Sequence, residues 1–177
     1  MSILVVPFVI LERSVAESPT ARLARVEAAT GRLAWLGRDT QAGWLNLANQ
    51  YESAGRMPAA IRAYRSLMDT LRRAGQLPST ELANHLAQLL VTYQRSDPHS
   101  VAEALRLASW TVRVDPNDLA SLEILAEANA AAGRLDEARE VGARALERAR
   151  AAGALDRAAA IETRLQRYGA PTGDGSS

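Results

Sequence analysis

The sequence predicts an all-α fold, an array of three helix-turn-helix hairpins with an N-terminal helix before it and a C-terminal capping helix after it. Three observations predict this. Ala and Leu dominate an apolar share of 47% in which aromatic residues are only 5%, a composition that suits close-packed helices better than strands. Apolar residues recur three and four apart along most of the chain, the spacing of one buried helical face. From Gln41 onward a residue pattern also repeats, and repetition of this kind fixes an architecture before any other motif does. At 177 residues the chain holds one such array and not a second full domain.

Composition shortens the list of chemistries. The formal charge is +1, so no global field recruits nucleic acid, an anionic membrane or an acidic substrate. There is no Cys, which removes disulfides, thiolate metal sites and thiol nucleophiles. Every basic side chain is Arg, so a P-loop Lys and Schiff-base chemistry are also absent. An Ala- and Arg-rich chain without Lys points to a GC-rich bacterial genome.

Taken in order, residues 1–17 form an apolar arm. Its run Ile3 to Leu11 is too short for a membrane span, which needs about 20 apolar residues as a helix. It lacks the basic start of a secretory signal, although Ser14 and Ala16 have the small size a cleavage site uses. A helix is predicted over 18–37: Ser18 and Pro19 suit its first positions, and Leu23, Val26, Thr30, Leu33 and Leu36 make its stripe. The repeats occupy 41–152, divided as 41–74, 80–116 and 117–152. A capping helix follows over 154–168, with Leu155, Ala158, Ile161, Leu165 and Tyr168 as its stripe and Arg157, Arg164 and Arg167 on its wet side. The Gly-, Pro- and Ser-rich tail 169–177 is expected to be disordered.

Within the repeats, Trp44, Leu47, Ala48 and Tyr51 are followed by a Gly55-Arg56 turn and by Ala60, Ile61 and Tyr64. Leu86, Ala87 and Leu90 with Ala104, Leu107 and Ala108 make a second copy ending at Asp115-Pro116, and Leu122, Leu125, Ala126, Gly133-Arg134 and Ala138 a third. In that third copy Asn129 and Gly142 stand where large residues are usual. This pattern resembles the tetratricopeptide repeat family. The resemblance covers Gln41 to Ala152 and implies a right-handed superhelical array whose first helices line a concave groove for a partner's peptide or helix. Leu47 to Leu86 and Leu86 to Leu125 are each 39 residues, against a family period of about 34. The extra five are expected between hairpins at Gly75–Ser79 and inside a hairpin turn around Gln94 to Ser100.

On the first helices, the residues not needed for packing are Leu45, Asn46, Asn49 and Glu52, then Asn84, His85 and Gln88, then Glu123 and Glu127. These are the groove candidates. Amide side chains both donate and accept, so a row of them can satisfy an extended backbone. Of the family's clamp for a terminal carboxylate only Asn49 is matched; Leu45, His85, Ala120 and Ile124 stand at the other positions, which argues against chaperone-tail recognition. Glu123 and Glu127, one turn apart, predict a basic or amide-rich partner segment.

No catalytic residue, cofactor or metal is expected. His85 and His99 are not spaced as ligands, and Ser79, Ser96, Ser100 and Ser109 lack a nucleophile motif. Arg62, Arg65, Arg72 and Arg73 are interrupted by Asp69 and lack the alternating row of aromatics that a nucleic-acid stacking platform requires. Trp44 and Trp110 read as core, and Trp35 as an off-stripe anchor. The expected function is that of a cytoplasmic protein-binding adaptor or scaffold. The alternatives are a self-assembling subunit, giving a homo-oligomer, and an accessory domain held at a membrane through the N-terminal arm.

Overall fold

The computed structural model describes residues 41–169 together with Ala21, Ala24, Arg25 and Ala28. The apolar arm 1–17, most of the helix predicted over 18–37 including Trp35, and the tail beyond Gly169 lie outside the described residues. From Gln41 on, the fold is all-helical. Seven helices follow one another: α1 Gln41–Ser53, α2 Met57–Arg73, α3 Thr80–Tyr93, α4 Pro98–Val114, α5 Leu119–Ala131, α6 Leu135–Ala151 and α7 Leu155–Gly169. The last helix therefore runs one residue into the segment predicted as tail. Among the described residues there is no strand, and no helix is long and apolar enough to cross a membrane.

Local chemistry sets the boundaries. After α1 the chain closes with Gly55 N–H donating to Glu52 C=O at 2.9 Å and Arg56 N–H to Tyr51 C=O at 2.8 Å. This paired closure requires a left-handed residue, which Gly55 supplies at φ 70°. Gly133 repeats it before α6, with Arg134 N–H on Asn129 C=O at 2.9 Å. The turn into α4 has no glycine: Asp97 caps the helix by accepting from the His99 and Ser100 amides at 3.3 and 3.1 Å, with Pro98 in the first turn.

That cap explains where the inserted residues of the second hairpin go. They do not lengthen a loop over 94–100, as the sequence suggests. The turn 94–97 has one residue more than the turn 54–56, and α3 has 14 residues to the 13 of α1. The remaining three lie at the start of α4, where Ala104 is the seventh residue, whereas Ala60 is the fourth of α2. An early Asp-Pro start converts insertion into an extra helical turn. Of the first insertion, two residues lie in the connection 74–79, which has six residues to the four of 115–118, and three extend the end of α2, which runs 13 residues past Ala60 where α4 runs ten past Ala104.

Packing follows the pairs. α1 packs on α2, α3 on α4, α5 on α6 and α6 on α7, while α3 also meets α2 and α5, and α4 meets α5. Alanines without exposed surface mark each hairpin: Ala48 and Ala60, Ala87 and Ala104, and Ala138 opposite the nearly buried Ala126. One core runs from α1 to α5 around Ile61, Leu86 and Leu90, with Trp44 and Trp110 packed against it. A second joins α5, α6 and α7 through Leu122, Val141, Ala145 and Ile161.

The terminal helix explains Gly142. A Cβ at that position would lie 2.7 Å from Cδ2 of Leu165, whose side chain fills the space a large residue would take. Gly142→Leu is expected to displace α7 and cost about 1–3 kcal/mol, the usual range for overpacking. Urea unfolding with amide hydrogen exchange on α7 checks this, and unchanged protection there would refute it.

Candidate protein-binding groove

The first helices of the hairpins, together with α7, are joined by polar side chains into one ladder. It begins at Tyr64 on α2, whose hydroxyl lies 2.9 Å from both Asn49 Oδ1 and Glu52 Oε2 and shares its single proton between these two acceptors. Burial pushes the Tyr64 hydroxyl far above its usual range, and the Glu52 carboxylate adds to that push; it stays a donor. The same Glu52 oxygen lies 2.9 Å from Nε2 of His85 on α3, and the His85 ring stands edge-on to Tyr64, 5.2 Å between centroids. One turn on, Gln88 Nε2 donates to Glu127 Oε2 on α5 at 3.1 Å. Arg164 of α7 then reaches Glu127 and stands 3.6 Å from Glu123, while Arg157 donates to Glu123 at 2.8 Å.

This geometry gives each predicted groove residue a position. Leu45, Asn46 and Asn49 are exposed on α1, and Asn46 accepts from Gln50 within the helix. Glu52, His85 and Gln88 make the interhelix rungs and remain partly or largely open to solvent. Asn84 is a correction: it is not presented to a partner but buried, 8% exposed, with Nδ2 donating to Ser121 Oγ at 2.9 Å. The orientation of that amide is fixed by its neighbour. Ser121 Oγ spends its own proton on Asp118 Oδ2 at 2.6 Å, so it can only accept from Asn84. Asn84 Oδ1 is thereby left buried without a donor.

Glu123 and Glu127 are a second correction. They do lie one turn apart, but they are not free for a basic partner, because Arg157 and Arg164 already meet them from α7. Arg164, predicted on the wet side of that helix, is only 28% exposed. Further acid borders a hollow of about 500 Å³ between α3 and α5. Glu81, Asp115 and Asp118 border it with His85 and Gln88, and no arginine lines it.

Sequence reasoning missed Tyr64, Ser121, Arg157 and Arg164 as members of this face. The available signal was spacing: Arg157 and Arg164 lie two turns apart on the last helix, opposite two acids one turn apart. Among the described residues, no group of three or more His, Asp or Glu side chains is placed to hold a metal ion. The chain matches no family model, and no curated protein is similar to it at a significant level.

Asp118 ties the hollow to the fold. Burial raises its pKa, but bonds from the Ser121 hydroxyl and amide outweigh this and hold the carboxyl below its ordinary range. A carboxylate depressed in the folded state binds its proton first in the unfolded chain. Its stabilisation is therefore complete above the unfolded value and lost as pH falls through about 4 toward the folded value. Asp118→Ala should cost about 1 kcal/mol at neutral pH, the usual worth of an N-cap, with the deficit shrinking below about pH 4. Urea midpoints across that range check it, and a pH-independent deficit would refute the linkage.

Proposed function

We propose that the chain is a protein-binding adaptor of the tetratricopeptide type, which receives a peptide or helix of a partner along the first helices of its hairpins. The observation that carries this reading is the ladder running from Asn49 and Glu52 through His85 and Gln88 to Glu127. It brings side chains from α1, α3 and α5 onto one face. Rungs of this kind hold donors and acceptors in fixed positions before a partner arrives, which lowers the ordering cost of binding.

Three features support the choice of binding over chemistry. The polar groups on this face are amides and paired ions, and the carboxylates best placed to act as acid or base, Glu123 and Glu127, are spoken for by arginines. Asn46, His85 and Leu45 are exposed, so the face offers hydrogen-bonding groups beside an apolar anchor point. The acidic hollow between α3 and α5 gives a basic partner residue a seat that the Glu123 and Glu127 pair no longer provides.

The test uses substitutions on the exposed part of α1. A Leu45→Arg, Asn46→Arg variant keeps every interhelix rung and is expected to fold as the native chain does. Affinity purification from the source cell's lysate should then lose one specific partner by about tenfold or more, the scale of a disrupted anchor. Retention of all partners at native levels would remove the groove from consideration.

A further inference from the structure

The second helices carry a feature that the groove does not use. Between α2 and α4 lies an open trough of about 710 Å³, with Met68, Leu107 and Trp110 among its apolar lining and the connection 75–78 at its margin. The six-residue connection 74–79 spaces the first hairpin from the second. Arg65 bridges the two helices, donating to Glu103 at 2.8 Å and to Ser100 Oγ at 2.9 Å. Leu77, on the margin, is 79% exposed, far more than a leucine needs to be in a well-filled connection.

The charge along this trough is unbalanced. Its two acids are already met: Glu103 by Arg65, and Asp69 by Arg72 at 2.9 Å. Arg106 and Arg113 are exposed, and neither has an ion-pair partner among the described residues. Glu137 and Glu140 border Arg106 from a neighbouring hollow but do not come within salt-bridge distance. Arg106, Trp110 and Arg113 are spaced i, i+4 and i+7, so they form one stripe of α4 with the two cations about 10 Å apart along the axis. Across from it, Arg65, Met68 and Arg72 are spaced i, i+3 and i+7 on α2, again two cations two turns apart with an apolar residue between them.

We propose that this trough is a second docking surface, whose occupant is an acidic amphipathic helix of a partner protein. Two carboxylates two turns apart meet Arg106 and Arg113, and leucine or aromatic side chains between them rest on Trp110, Met68 and Leu107. Charge complementarity selects this occupant, since a neutral helix would leave both guanidinium groups beside it without partners. The surface shares no residue with the proposed groove, so the two sites can be tested apart.

The probe is a fluorescein-labelled peptide of about four helical turns, carrying Glu two turns apart on one face with Leu between, titrated with the full chain and followed by anisotropy. Saturable binding that weakens with salt is expected, because the contacting charges are exposed. An Arg106→Gln, Arg113→Gln variant should weaken it about tenfold or more, as should replacing the peptide's leucines with serine. The Leu45→Arg, Asn46→Arg variant should leave it unchanged. Absence of saturable binding up to about 1 mM, or equal affinity for native and arginine-substituted chains, would overturn the proposal. So would binding that ignores the leucines and is displaced more readily by a single-stranded oligonucleotide, which would make the trough a polyanion surface.

Discussion

Close approach of helices within each hairpin is the constraint on which everything else rests. Ala48 and Ala60, Ala87 and Ala104, and Ala138 have no exposed surface, and a side chain of one carbon lets two helix backbones come near without a knob between them. Larger residues then interdigitate around that approach, as Ile61, Leu86, Leu90 and Leu122 do. This accounts for an apolar composition so rich in Ala and Leu and so poor in aromatics. It also decides which flank of each first helix is left over, and that flank carries the polar ladder.

The ladder contributes more to register than to stability. Its ion pairs are partly solvated, with Arg157 48% and Arg164 28% exposed, so water screens much of their attraction. Removing one partner is a different matter, since Glu123 is only 14% exposed and would keep a desolvated charge alone. Such pairs penalise wrong placements of α7 against α5 more than they reward the right one. The apolar contacts of Ala158 and Ile161 supply the attraction that docks the helix.

What the sequence made legible was local. Turn glycines and the alanine spacing act within a few residues, and the helical architecture follows from them. The site was less legible because its chemistry joins residues far apart in the chain. Asn84 looks like an exposed amide until Ser121, 37 residues on, is placed beside it. Glu123 looks free until Arg157, 34 residues on, folds back to it. The displaced insertion in the second hairpin has a similar cause: the period located the extra residues, but only the cap at Asp97 decides whether they become loop or helix.

Net charge hides the electrostatic character of this molecule. A formal charge of +1 averages an acidic hollow bordered by Glu81, Asp115 and Asp118 with a trough bearing the unpaired Arg106 and Arg113. At physiological ionic strength the screening length is about 8 Å, shorter than the span of two helical turns. Neither patch can steer a distant partner, and each acts only once a surface is nearly in contact. On the proposed reading, selectivity therefore depends on spacing along helices, where a carboxylate or guanidinium displaced by one turn meets water instead of its counterpart.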